Sequence, residues 1–176
     1  MQQIQELTLP LSAETLQSLR AGQIIRLSGV VYTARDAAHK RFTESMAKGE
    51  ELPLPLQNAA IYYCGPTPTQ EGEVIGSCGP TTSSRMDDYA PALIEAGVRV
   101  MIGKGKRSQA VNDSIKKHRA IYLAAIGGAG ALYKHKITAC ECVAYADLGC
   151  EAVHKLYINN VELLVATDSR GNTCLK

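Results

Sequence analysis

The sequence predicts an α/β protein with mixed sheets and flanking helices, in one domain over residues 1–176. Apolar, β-branched runs alternate with amphipathic runs through the second half of the chain. That alternation builds βα units and a partly parallel sheet. The apolar runs of the first half look antiparallel, so a mixed sheet or two sheets is expected. With 176 residues, 45% of them hydrophobic and 20% charged, the chain can bury a real core.

The elements follow in order. LSAETLQSLRAGQ reads as a short helix, with Ser12 to cap it and Gly22 to end it. Residues 24–34, IIRLSGVVYTA, are rich in β-branched side chains and read as a strand. Residues 35–50 form a helix with Ala38, Phe42 and Met46 on one face. LPLPLQN is a loop, AAIYYC a strand ending at Cys64, and GPTPTQEGE a turn-rich connection. EVIGSC, residues 73–78, reads as a further short strand. SSRMDDYAPALIEAG reads as one helix, interrupted only by Pro91 and stopped at Gly97. VRVMIG is a strand, GKGKRS a loop, and SQAVNDSIKKHR a helix that Ser108 can cap. AIYLAAI is a strand and GGAGALYKH a loop into a helix. ITACECVAYA and VELLVATD close the sheet.

Composition removes several function classes. A net charge of +2 without a long basic run argues against nucleic acid. No Trp and one Phe argue against a base-stacking or sugar platform. The start, MQQIQELTLP, lacks a basic segment followed by an apolar one, so no secretory signal is expected. The longest apolar stretch, residues 120–133, is short and broken by glycines, well under the roughly 18 residues of a membrane span. A cytoplasmic protein is expected.

Six cysteines stand at 64, 78, 140, 142, 150 and 174. Reduced thiols are expected, each a small buried hydrophobe. Cys140 and Cys142 would share one face of a strand, yet no Cys/His set completes a zinc site, and no metal ligand is assigned. CGPT occurs twice, at Cys64 and Cys78, in different surroundings. The two copies read as a coincidence of short turns.

Four segments could carry chemistry. In GSCGPTTSSRMDDY a strand ends, a Gly-Pro turn follows, and hydroxyl residues lead into a helix. Free N–H groups at such a helix start suit an anion. Thr81 and Arg85 are four apart, one helical face, and arginine can grip a carboxylate with two N–H groups. Ordinary capping with Arg85 in solvent is the other reading, and composition leaves both open. GKGKRS places Lys104, Lys106 and Arg107 between a strand and a helix, a common ligand position. It fails the GxxxxGK[ST] phosphate-loop pattern and could be a solvated loop. TARDAAHKR sets Arg35 at a strand-to-helix junction with His39 four residues on, a surface or cap histidine more readily than a base. AIGGAGAL does not match GxGxxG, so no dinucleotide is inferred. If the cations at the three strand ends, Arg35, Arg85 and Lys104, converge, they suit a small substrate with two carboxylates. Thr81 would then be the hydroxyl nearest the reacting carbon.

GPTTSSRMDDY followed by KGKRS, with ARDAAH upstream and IYYCGPTP between, resembles the C-terminal domain of iron–sulfur-dependent (class I) fumarate hydratases. That domain is a separate chain, the β subunit, in two-subunit versions. The likeness runs from about residue 9 to 172 and extends to SQAVNDSIKKH, AAIGGAGAL, ECVAYADLGCEAV and DSRGN.

The resemblance implies a swivelling β/β/α fold and reversible hydration of fumarate to L-malate, a step of the tricarboxylic acid cycle. It implies a [4Fe–4S] cluster bound by three cysteines of a partner α subunit rather than by this chain, one iron acting as Lewis acid. Neither Cys64 nor Cys78 is then needed as a ligand. By the same resemblance Arg35, Arg85 and Lys104 match the carboxylate-binding cations. Thr81 matches the threonine proposed as the catalytic base that removes the C3 proton. An α2β2 assembly and inactivity without the α subunit are also implied. L(+)-tartrate dehydratase and mesaconate hydratase β subunits share these features; KGKRS with SQAVNDSIKKH looks more like fumarase. A stand-alone small-anion binding module is the alternative of another class.

Overall fold

The computed structural model describes residues 4–175. Residues 1–3, part of the start read for a signal, and residue 176 lie outside the described residues. The elements run β1 (Gln5–Thr8), α1 (Ala13–Ser18), β2 (Ile24–Thr33), α2 (Asp36–Lys48), β3 (Ala60–Tyr62), α3 (Ala90–Glu95) and β4 (Val100–Gly103). They continue with α4 (Gln109–His118), β5 (Ile121–Ala124), α5 (Gly130–Lys134), β6 (Ile137–Ala144) and β7 (Val153–Thr167). Two 3-10 turns, Ser83–Met86 and Ala146–Glu151, lie between them.

The strands make one mixed, seven-stranded sheet in the order β1-β2-β3-β4-β5-β7-β6. β1 through β5 pair in parallel along this order. β7 runs antiparallel to β5, to β6 and also to β2. That extra pairing closes the circuit β2-β3-β4-β5-β7 on itself.

Period-two alternation splits the core into two sides. Ala60, Tyr62, Val100, Ile102, Ile121 and Leu123 point into the cluster enclosed by the strands, with Leu27, Val31, Leu156 and Val165. Ile61, Tyr63, Met101 and Tyr122 point the other way, onto Phe42 of α2, Leu93 and Ile94 of α3, and Val111 and Ile115 of α4. Full burial of a Val, Leu, Ile, Phe or Met among these contributes roughly 1.5–3 kcal/mol. Helices supply the crossovers that parallel strands need. The C-terminal ends of β2, β3, β4 and β5 therefore open on one edge.

Several expectations change. Residues 73–78 form no strand. They belong to an irregular excursion whose bonds are local: Thr67 N–H donates to the Ser77 carbonyl at 3.0 Å and Ser77 N–H to the Thr67 hydroxyl at 2.8 Å. The helix expected from Ser83 to Gly97 breaks into the Ser83–Met86 turn and α3. Pro91 starts α3, at a first-turn position where its missing N–H costs nothing. α1 ends at Ser18, short of Gly22. β1 is an added strand, and β7 is 15 residues long where only its second half was expected. The Ser12 and Ser108 caps form: each side chain accepts the N–H three residues on, from Thr15 and Val111. Among the described residues no helix is long and apolar enough to cross a membrane.

Candidate functional site

The candidate site lies on the edge where the parallel strands end. β3 and β4 stay paired as far as the Tyr63 N–H to Ile102 carbonyl bond, 2.8 Å. Beyond it the strands part and the Thr81–Ser83 backbone enters between them. Thr81 N–H donates to the Tyr63 carbonyl at 2.6 Å, and Lys104 N–H donates to the Thr81 carbonyl at 3.3 Å. Ser83 N–H then donates to the Lys104 carbonyl at 2.9 Å. Thr81 and Lys104 are thus fixed as neighbours by main-chain bonds, which side-chain substitution leaves intact.

Two glycines permit this approach. A Cβ on Gly103 would stand 2.1 Å from Ser83 Oγ and 2.7 Å from the Tyr63 ring. A Cβ on Gly65 would stand 3.0 Å from Arg35 Cδ and Nη1. The β5 loop joins from the far side, where Gly127 faces the Lys104 stem with room for a Cβ 3.4 Å from Cδ.

Arg35 and Arg85 are brought together through a residue the sequence reading passed over. Asp36 Oδ2 takes Arg85 Nη2 at 2.5 Å, and Arg35 Nε lies 3.8 Å from Asp36 Oδ1. Arg35 also pairs with Glu151 at 3.0 Å. Arg35 Nε and Asp36 Oδ1 are buried without a hydrogen-bond partner among the described residues. The Arg85 side chain is 50% exposed, leaving N–H groups free to face a ligand.

The hydroxyl run works differently from expectation. Its helix is a four-residue 3-10 turn, and Thr82 makes no side-chain cap bond. A helix dipole aimed at an anion is therefore absent here. Ser83 is buried and donates to the Tyr122 hydroxyl at 2.9 Å, which donates to the Gly105 carbonyl at 2.8 Å.

Arg107, read as one of three loop cations, is turned inward. Its guanidinium lies 5.1 Å from both the Tyr63 and Tyr122 ring centres and pairs with Asp87 at 2.7 Å. Asp87 also accepts the Ser108 N–H at 2.5 Å. Arg107 thus pins the Lys104 loop to the segment carrying Thr81 and Arg85, and of the three only Lys106 is exposed. His39 is not a surface residue. It is 1% exposed, edge-on to Tyr63 at 5.4 Å, and its Nδ1–H donates to the Arg35 carbonyl at 2.8 Å. Burial pushes its pKa down to about 4, so the ring is neutral at physiological pH.

The cysteines also depart from expectation. Only Cys64 and Cys78 are buried; Cys140 is half-buried and the other three are exposed. The two CGPT segments meet in space, where the Cys64 and Cys78 sulfurs are in contact.

A family model described as Fumarase C-terminus matches residues 2–176. The chain belongs to the fumarase C-terminal family. It is 41% identical over 172 residues to "Fumarate hydratase class I, aerobic" of Salmonella typhimurium, covering 95% of this chain and 30% of that protein. The corresponding Escherichia coli K12 protein is 42% identical over 150 residues, covering 84% of this chain and 27% of that protein. This fumarase C-terminal chain therefore spans about 30% of the length of those relatives. Against "Putative L(+)-tartrate dehydratase subunit beta" of Methanocaldococcus jannaschii it is 36% identical over 169 residues, covering 93% of this chain and 87% of that one. The family members matched are hydro-lyases by name.

Proposed function

We propose that this chain is the β subunit of a hydro-lyase that hydrates fumarate reversibly to L-malate, working with an α subunit in an α2β2 assembly in the cytoplasm. The observation that carries the reading is the joining of Thr81 to Lys104 and of Arg35 to Arg85 on one sheet edge. A dicarboxylate with charges at both ends suits cations so placed. Arg85 and Lys104 hold carboxylate oxygens, and Arg35, braced by Glu151 and Asp36, completes the positive wall. Removing the proton beside a carboxylate builds negative charge, which these cations stabilise. Thr81 is the group assigned to that proton. A threonine hydroxyl is a weak base, and the surrounding cations favour its deprotonated state.

Among the described residues no three His, Cys, Asp or Glu side chains are grouped to hold a metal ion. The donors here do not fit a cluster, so the [4Fe–4S] group implied by the family resemblance is assigned to the α subunit. No step of this chain runs through it. A second reading, L(+)-tartrate dehydratase, has a specific support: the relative matched over 87% of its length carries that name.

The test is anaerobic reconstitution with an α-type chain, iron and sulfide, and assay on fumarate, L-tartrate and mesaconate side by side. Activity on fumarate that neither chain shows alone supports the proposal. Preference for tartrate moves it to the second reading. No activity from a stable complex with a formed cluster leaves a small-anion binding module.

A further inference from the structure

The two cysteines of the repeated CGPT lie in contact in the core, with their sulfurs 2.9 Å apart and both thiols free. Cys64 follows β3, and Cys78 sits on the excursion that returns toward Thr81. The backbone is fixed around the pair. The Tyr62 hydroxyl donates to the Cys78 carbonyl at 2.7 Å, and Cys78 N–H donates to the Gly130 carbonyl at 3.2 Å. The thiols are therefore held together by structure rather than meeting by diffusion, which raises their effective concentration.

We propose that Cys64 and Cys78 are a modification site, a dithiol that hydroperoxides oxidise reversibly to a disulfide. One thiolate attacks the O–O bond of hydrogen peroxide, giving a sulfenic acid and hydroxide, which takes up a proton to become water. The second thiol attacks that sulfur, the S–O bond breaks, and the oxygen leaves as water. Two thiols and one peroxide become one disulfide and two waters, the thiols oxidised and the peroxide reduced. A thiol reductant reverses the bond by exchange.

Both thiols are buried, and a surface cavity of about 260 Å³ whose lining includes Pro66, Thr67, Ile75 and Cys140 lies beside them without reaching either sulfur, so peroxide enters when the intervening side chains open. Ile75 and Cys140 also pack against the cluster that contains the pair. The reaction is slow. The hydrogen bond with Cys78, and then burial, push the Cys64 thiol well above its ordinary pKa, so the rate follows local opening. The bond ties the turn at residues 65–69 to the turn at 79–82. Gly65 packs against Arg35, and Thr81 follows Cys78 by three residues. The oxidised form holds both sides of the candidate site in one frame, and its closed loop restricts the unfolded chain.

The test uses the full chain, reduced, freed of reductant and exposed to hydrogen peroxide. It is then denatured, alkylated and cut with a glutamyl endopeptidase, because Glu71 and Glu73 separate the two cysteines and no Lys or Arg does. The expected product is the Cys64 peptide linked to the Cys78 peptide, two hydrogens lighter, and released by dithiothreitol. Tm should rise by several degrees on oxidation, and stay unmoved in Cys64→Ala and in Cys78→Ala. Complete alkylation of Cys64 and Cys78 after the exposed cysteines have oxidised would overturn the proposal. Conversion of either one to sulfinic acid without the cross-link would overturn it equally.

Discussion

Arg85 and Asp36 form a 2.5 Å ion pair that reaches from the Thr81 segment to the first turn of α2. Arg35 approaches the other oxygen of the same carboxylate. One acid thus sets the orientation of two cations that come from separate elements, 50 residues apart in sequence.

Asp36→Asn keeps the shape and removes the charge. A partly exposed pair of this kind contributes only about 0–1 kcal/mol, so the chain should stay folded with a Tm within a few degrees of the parent. The two guanidiniums lose their shared reference. In the reconstituted enzyme KM should rise several-fold with kcat little changed, as steady-state assay would show. Unchanged KM would remove Asp36 from the site.

His39 makes stability depend on pH. Its folded pKa of about 4 lies below the ordinary 6.5. Between these values the unfolded chain binds the proton and the folded chain does not, so stability falls as pH drops from 6.5 toward 4. The full loss is about 3 kcal/mol. His39→Asn retains a donor for the Arg35 carbonyl and cannot titrate. Urea unfolding at pH 7 and pH 4.5 should show a smaller difference in this variant than in the parent; equal differences would contradict the assignment.

Arg107→Met should destabilise the chain by about 3 kcal/mol, because it leaves the buried Asp87 charge without its partner. The double variant Arg107→Met with Asp87→Asn should recover part of that loss, since the orphaned charge is gone. A double variant no more stable than Arg107→Met would show that stacking on Tyr63 and Tyr122, and not the pair, carries the energy. Urea midpoints separate the two.

Local patterns in the sequence foretold most of the fold. The β-branched run of β2 and the caps at Ser12 and Ser108 are decided within a few residues, so they were legible. Residues 73–78 look apolar enough for a strand, but a strand needs a partner, and these residues spend their bonds on Thr67 and Gly130. The first half of β7 hides behind Asn159-Asn160, a pair that looks like a turn; Asn160 does adopt a left-handed φ of 50° while the strand continues.

Of the candidate site, Arg35, Arg85, Lys104 and Thr81 could be named from motif and position. The main-chain bonds between Thr81 and Lys104, and the Asp36 carboxylate shared by Arg35 and Arg85, could not. Arg107 turns inward because Asp87, 20 residues upstream, and two tyrosines from different strands receive it. The DSRGN segment similarly proves to be a pin: the Asp168 carboxylate accepts N–H groups of Ala21, Arg170 and Asn172. Partners distant in sequence decide such roles, and spacing alone does not show them.

The measurement closest to the central claim is kcat/KM for fumarate of the reconstituted enzyme carrying Arg85→Ala, beside the parent. Arg85 is half exposed and outside the core, so the variant should fold and assemble. A hydrogen bond to a charged group contributes about 1.5–3 kcal/mol, which corresponds to a fall of roughly 10–150-fold in kcat/KM. That fall, with a normal Tm, is the predicted result. Near-parental kcat/KM would contradict the claim that this sheet edge holds the substrate.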